Sequence, residues 1–278
     1  MIVLAFALIG WLAPEASAVG LRIAVFAPER DDTSRRFAAE LAASLSAAGE
    51  ILDTSLAEAA FDATAPKTPF NMTATEARNI GAAIGCDIFI MIRAVTQRRS
   101  SSEREEYYES YAAVYVVSSR TGHLIEWSLP RSEAAKPGES AARLLKSIPK
   151  LAPELAPLIK NAAAIDASNP KPNGFEEPPV DGTAAAKDFR PPVPYRRIKP
   201  EYTVLAFSYE VAATVELEMD LDADGKIVRT EIVRWAGYGL DESVEKAVRA
   251  MNWRPGERGG KPLPMRVLLR YNFKKIEK

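Results

Sequence analysis

Val215, Leu217, Met219 and Leu221 alternate strictly with Glu216, Glu218, Asp220 and Asp222. A period of two sustained over eight residues describes a strand with one face in a core and the other in water. Asp222-Ala223-Asp224-Gly225 supplies turn chemistry, and Ile227, Val228, Ile232 and Val233 bring the chain back as a hairpin. Leu240, Val244, Ala247, Val248 and Met251 then recur at helical spacing, with Asp241 and Glu242 at the end where a helix favours carboxylates. A turn through Gly256, Gly259 and Gly260 hands over to a closing strand that ends at Phe273. The expected module, over residues 195–278, is β-β-α-β.

The same stretch satisfies a calcium-loop pattern: Asp220, Asp222 and Asp224, then Gly225, then five residues and Glu231. Such a loop needs a helix entering it, whereas the entering segment here alternates as a strand does. The carboxylates are therefore read as part of a hairpin, and a metal site at Asp220, Asp222, Asp224 and Glu231 follows only if that reading fails.

Upstream, strands and helices alternate. Leu21 to Ala27 reads as a buried strand, and Phe37, Leu41, Ala42 and Leu45 mark a helix face after the capping residues Asp31 to Ser34. Thr73 or Thr75 caps a helix that runs through Ile84 to Gly85, and Ile88 to Val95 follows as a strand. Tyr107 to Val117 and Leu124 to Ser128 flank a turn at Arg120-Thr121-Gly122. A helical run from Glu139 to about Ala164 is expected in two pieces, broken at Pro149 and Pro153. This pattern places the chain in the α/β (α+β) class, with a mixed sheet in a first domain at residues 19–165. Residues 166–194 carry seven prolines and little apolar periodicity, the composition of an extended linker with a reach of roughly 90 Å.

Ile2 to Leu12 is an apolar run of eleven residues followed by Ala16-Ser17-Ala18, a small-x-small site. At ~1.5 Å per residue it covers about half of a ~30 Å hydrocarbon core, so residues 1–18 read as an export signal and not as a span. No Lys or Arg precedes the run, which leaves inner-membrane anchoring open if the true start lies upstream. Residues 190–278 hold 17 Lys/Arg against 13 Asp/Glu, a bias too weak to point to nucleic acid.

Chemistry has little to draw on. The single Cys86 and single His123 leave no set for a zinc site or for a nucleophile-base pair, and no glycine-rich loop opens a helix. Glu103, Glu105, Glu106 and Glu109 near Tyr107, Tyr108 and Tyr111 mark a charged strand end. Neither a catalytic residue nor a cofactor is expected.

The C-terminal order resembles the C-terminal domain of the TonB energy-transducer family. The resemblance rests on Pro194-Tyr195, the Asp222-x-Asp224-Gly225 turn, Leu240-Asp241 opening the helix, Trp253-Arg254-Pro255 after it, and Gly260-Lys261-Pro262 before the last strand. Tyr195-Arg196 stands where the family commonly has Tyr-Pro, and Ala212-Ala213 where glycine is usual. The resemblance implies a periplasmic protein that binds an extended peptide by strand addition, such as the TonB box of an outer-membrane receptor, in energy-dependent transmembrane transport. The partner would be such a receptor or another envelope protein. The last strand is the expected partner-binding element, with Arg266, Leu268, Arg270 and Tyr271 as its binding residues and the basic ones suited to an acidic peptide. The family's membrane helix often couples to its inner-membrane motor through a histidine, and no such histidine is present, so motor coupling is unsupported. An alternative is an envelope assembly or scaffolding protein whose first domain binds the main partner. That first domain loosely resembles the N-terminal domain of TolB and curli-export relatives, on its opening strand and on Ala82-Ala83-Ile84-Gly85-Cys86-Asp87 before a strand.

Overall fold

The computed structural model describes residues 20–275, so the export signal expected at 1–18 lies outside the described residues. The chain opens with β1 (Arg22–Phe26), α1 (Asp32–Leu45), β2 (Glu50–Ile51), α2 (Thr54–Thr64) and α3 (Ala74–Ile84). It continues through β3 (Ile88–Arg99), β4 (Tyr107–Ser118), β5 (Leu124–Ser128) and β6 (Arg131–Ala134) to α4 (Pro137–Leu145), α5 (Ile148–Lys160) and α6 (Ala162–Ala167). The strands form one mixed sheet in the order β2-β1-β3-β4-β5, with β6 also on β4. β1 runs parallel to β2 and β3, and the remaining pairs are antiparallel.

Local signals account for most of these elements. The Thr73 hydroxyl accepts the Glu76 N–H while the Glu76 carboxylate accepts the Thr73 N–H, a reciprocal cap that starts α3, and Gly85 ends it at φ 73°. The proline break came out differently. α4 ends at Leu145, and α5 then contains Pro149, Pro153 and Pro157 within one continuous helix. Pro149 lies in the first turn, where its missing N–H breaks no helix bond, and the spacing of four keeps all three rings on the exposed side, while Leu151, Leu155 and Ile159 stay buried.

Each face of the sheet is covered. Ile23, Val25, Ile90 and Val114 pack under α1, α4 and α5 with Phe37, Leu41, Leu155 and Ile159. Phe26, Phe89, Met91, Tyr115 and Val117 face the other way, towards Phe61 of α2 and Ile80 of α3. That second cluster does not stop at the first domain: it continues without a break into Val215, Leu217, Met219, Trp235 and Val244.

These residues belong to the C-terminal module. β7 (Phe189–Arg190), β8 (Val193–Pro194) and α7 (Val204–Ser208) lead into β9 (Ala213–Leu221), β10 (Ile227–Arg234) and α8 (Leu240–Arg249). β11 (Trp253–Arg254), β12 (Gly256–Arg258) and β13 (Lys261–Leu263) precede β14 (Met265–Phe273). The main sheet has the order β10-β9-β14, all antiparallel. The β-β-α-β expectation therefore matches its core, and two small sheets, β11-β8 and β13-β12-β7, are additions to it.

The proline-rich stretch does not run free. The Asn169 amide donates to the Thr230 carbonyl at 3.0 Å, Lys171 meets Glu218 at 2.9 Å, and Phe189 and Arg190 pair with β12. Proline removes donors from a backbone, but the residues between the prolines keep theirs, and these tie the segment to the module.

Candidate partner-binding edge

β14 pairs with β9 along its whole length, from Met265 opposite Leu221 to Phe273 opposite Ala213. This register sets Arg266 against Asp220, Leu268 against Glu218 and Arg270 against Glu216 on one face. Met265, Val267, Leu269 and Tyr271 lie on the other, towards α8 and the core. Tyr271 is half-buried opposite Val215. Of the four expected binding residues, Arg266, Leu268 and Arg270 thus share a surface, and Tyr271 points away from it.

The two arginines are already engaged. Arg266 grips Asp220 with Nε at 2.7 Å and Nη2 at 3.0 Å, and Nη2 also donates to the Pro172 carbonyl at 2.9 Å. Arg270 holds Glu216 through Nε at 2.7 Å and Nη2 at 2.6 Å. Glu218 takes Lys171 and, at 3.0 Å, Arg229. Burial pushes the Glu218 carboxyl up, but the bonds from Lys171 and Arg229 outweigh it and hold the group below the usual range. Each guanidinium on β14 has a carboxylate of its own sheet, so this face presents paired charge and not a basic stripe. What it leaves exposed is Leu268, at 55%.

The carboxylates of the calcium-like pattern are dispersed in the same way. Asp220 is fully buried on β9 and held by Arg266. Asp222 closes the hairpin by accepting the N–H groups of Asp224 at 2.9 Å and Lys226 at 2.8 Å. Glu231, on β10, contacts Arg229 and lies 2.6 Å from Nε2 of His123. The pattern sits on strand, turn and strand, and among the described residues no group of three or more His, Cys, Asp or Glu is placed to hold a metal ion. The acidic strand end of the first domain is also internally satisfied: Glu109 accepts from Gln97, Arg99 and the Tyr209 hydroxyl, and Glu106 from Arg98 and Tyr108.

The other side of β14 is a sheet edge. The Arg266 N–H donates to the Glu176 carbonyl at 2.8 Å, and the Glu176 N–H to the Pro264 carbonyl at 3.0 Å, a one-residue parallel bridge at the start of the strand. Arg266 therefore turns its peptide groups outward, and antiparallel alternation turns those of Leu268, Arg270 and Asn272 outward as well. Among the described residues, no strand pairs with that edge beyond the Glu176 rung. The sequence signal for this arrangement was the alternation of β9 itself, because the acidic residues of one strand anticipate basic ones on its neighbour.

The sequence marks Asp241 only as a carboxylate suited to a helix start, and the structure gives it a further part. The Asp241 carboxylate is buried and turned back, accepting the N–H groups of Ala236 at 2.9 Å and Gly237 at 2.8 Å. It fixes the loop from β10 to α8, and burial pushes its carboxyl up to about 7 despite these bonds.

The model of the Gram-negative bacterial TonB protein C-terminal family matches residues 199–274. Residues 199–274 are a TonB C-terminal domain. Among solved structures, the TonB C-terminal domain of Pseudomonas aeruginosa aligns over 35% of this chain and 95% of its own, at 22% identity and a TM-score of 0.27. A lipoprotein of Neisseria meningitidis aligns over 49% of this chain and 99% of its own, at 15% identity and a TM-score of 0.33. A hypothetical protein of Chlamydia trachomatis does so over 50% and 97%, at 12% and 0.32. No curated protein matches the chain. In this TonB domain the Leu240-Asp241 pair has a physical account: Leu240 anchors α8 in the core, and Asp241 ties down the loop before it. Among the described residues no helix is long and apolar enough to cross a membrane.

Proposed function

We propose that this is a TonB-like protein of the cell envelope, exported to the periplasm, whose TonB domain takes an extended segment of a partner protein as an added strand on β14. The observation that carries the reading is the open edge at Leu268, Arg270 and Asn272, whose peptide groups face outward beside a strand otherwise fully paired. An added strand satisfies those groups, and its side chains meet the exposed Leu268 on one face and the rim of the core on the other. The pairing of Arg266 and Arg270 with Asp220 and Glu216 makes shape and backbone bonding, and not charge, the main source of affinity. The partner in this reading is a receptor of the outer membrane, or another envelope protein, that offers an extended segment. The role is binding, without catalysis, and a part in energy-dependent transport follows only through such a partner.

Amide NMR of the full chain titrated with an extended receptor-derived peptide tests this. Shifts and slowed exchange at Leu268, Arg270 and Asn272 are expected, and an unchanged β14 edge at saturating peptide would sink the reading.

A second reading has one observation in its favour. The TonB domain is not loosely tethered: it shares a continuous core with the first domain. That supports an assembly or scaffolding protein in which the two domains present one composite surface, with the first domain meeting the main partner. Peptide-independent capture of a partner by the first domain would favour it.

A further inference from the structure

Where the TonB domain meets the first domain, a cleft of about 400 Å³ opens between the sheet and the loop before β9, within the range of small-molecule sites. Arg93 of β3 and Tyr111 and Tyr115 of β4 form one wall, and Tyr209 and Tyr238 of the C-terminal module form the other.

The aromatic walls are fixed by their surroundings. The Tyr209 hydroxyl donates to Glu109 at 2.7 Å, and its ring receives the edge of Tyr111 with centroids 4.6 Å apart. Tyr115 is buried, with its hydroxyl donating to the Ala236 carbonyl at 3.3 Å. Tyr238 sits at φ 55° between two left-handed glycines, Gly237 and Gly239. A left-handed backbone is costly for a large side chain and tends to persist where a site is built. Here it turns the ring into the cleft, against Trp127 at 4.6 Å and near Tyr209 at 6.0 Å.

The polar groups are mostly donors. Arg93 contacts Glu29 through Nε at 3.1 Å and lies over the Phe70 ring, and among the described residues its Nη1 and Nη2 atoms have no hydrogen-bond acceptor. The Tyr111 hydroxyl likewise has no partner among the described residues. Burial pushes the phenols of Tyr111 and Tyr238 up, so both are protonated and able to donate at neutral pH. The acceptors at the rim are taken: Glu109 by Arg99, Gln97 and Tyr209, and Glu210 by Lys275. A ligand that completes the site must bring acceptors of its own, in a form that a guanidinium fork can grip, on a body that aromatic walls can hold.

We infer that this cleft binds a carboxylate carried on a flat apolar body, gripped by the free fork of Arg93 and the Tyr111 hydroxyl, with the body lying against the wall of Tyr209 and Tyr238. The carboxylate could belong to a free organic acid or to the C-terminus of a peptide, which present the same chemistry. The site lies apart from the β14 edge and does not depend on the strand-addition reading.

Tryptophan fluorescence of the full chain reports on it, because Trp127 packs on Tyr238. The probes are phenylacetate, its neutral isostere phenylacetamide, and a short peptide ending in phenylalanine with a free or an amidated C-terminus. Saturable binding of phenylacetate or the free-acid peptide is expected, with whichever binds tighter identifying the source. The amides should bind at least about tenfold more weakly, as loss of a charge-assisted contact implies. Arg93→Gln should weaken the acid by a similar factor, and Tyr111→Phe, which keeps the ring, by less. Both should melt like the parent chain, since the Arg93–Glu29 pair is half exposed. Equal binding of acids and amides, full affinity in both variants, or no saturable signal with any probe at millimolar concentration would each overturn the assignment.

Discussion

The indole N–H of Trp235 donates to the carbonyl of Gly122 at 3.2 Å, joining the end of β10 to the turn between β4 and β5. Trp235 is 1% exposed, and its ring lies 5.5 Å from that of Tyr115. A residue of the TonB domain thus completes the core of the first domain. Asn71 makes the reciprocal connection, donating to the Trp235 carbonyl and to that of Thr214, each at 2.8 Å, and accepting the Thr214 N–H at 2.9 Å.

This joint makes the two domains one unfolding unit. Trp235→Phe removes the donor to a buried carbonyl and leaves a void, for a loss of about 2–3 kcal/mol. Gly122→Ala should act at the same place: at φ 75° an added Cβ would lie 1.9 Å from the Ala74 carbonyl oxygen. Urea unfolding followed by both near-ultraviolet and far-ultraviolet signals should show a single transition, moved to lower urea in both variants. Two transitions, only one of which moves, would refute the shared core.

Arg266 and Arg270 look equivalent in sequence and should behave differently. Arg266 is 11% exposed and grips the fully buried Asp220, so Arg266→Ala leaves a buried carboxylate with only Arg229, at 3.7 Å, in support. Breaking a buried pair this way costs roughly 3 kcal/mol. Arg270 is 61% exposed, and its partner Glu216, though buried, keeps Arg234 at 3.5 Å, so Arg270→Ala should cost less, about 1–2 kcal/mol, with a part that salt weakens. Thermal melts at low and high ionic strength distinguish the two. They also decide which variant can be used in binding work, since only Arg270→Ala should leave the fold intact enough to compare.

Much of this arrangement was open to reading from the residues. The alternation through Leu221, the Asp222–Gly225 turn and the stripe from Leu240 to Met251 specify a half-buried sheet under one helix, because each is a local pattern with one compatible geometry. The pairing of Arg266 with Asp220 needed a register between segments 46 residues apart, which no local pattern contains. β4 had already hinted at the interdomain joint: it is apolar and aromatic on both sides, and burial on both sides requires a second covering layer. What covers it could not be read, because Trp235 and Tyr238 fit equally well in a core of their own domain. The proline-rich segment failed for a different reason. Composition describes what prolines cannot do, and the bonds that hold the segment come from Asn169, Lys171 and Glu176 between them.

Asp241 should give stability a distinct pH dependence. Burial raises its folded pKa from 3.8 to about 7, so the folded state holds a proton that the unfolded chain has released. Its contribution is fully present below about pH 4 and is lost as pH rises through about 7. His123 works in the opposite sense: burial pushes its imidazole down, against the pull of Asp166, while the nearby Glu231 is neutralised by Arg229, so its contribution is lost as pH falls below the usual histidine range. Glu109 and Glu218, both held below the usual range, weaken the fold only at more acidic pH. The difference in melting temperature between the parent chain and Asp241→Asn isolates the one group. It should shrink progressively between about pH 4 and 7 and level off above that, and a flat difference would contradict the assignment.

The β14 edge makes the sharpest demand, because backbone donors on neighbouring residues serve opposite sides. The Leu268 N–H faces the open edge, so Leu268→Pro removes one rung offered to an incoming strand without touching the ladder to β9. The Leu269 N–H faces β9, so Leu269→Pro deletes a ladder bond in the middle of the sheet and should destabilise the module by about 3 kcal/mol or more. Under strand addition, Leu268→Pro should melt close to the parent chain yet lose most of its affinity for an extended peptide, measured by calorimetry. Leu268→Ala, which keeps the N–H and loses only the exposed side chain, should retain most of it. If the alanine variant fell as far as the proline variant, the surface would be recognised by its side chain, and strand addition would be the wrong account of how this edge binds.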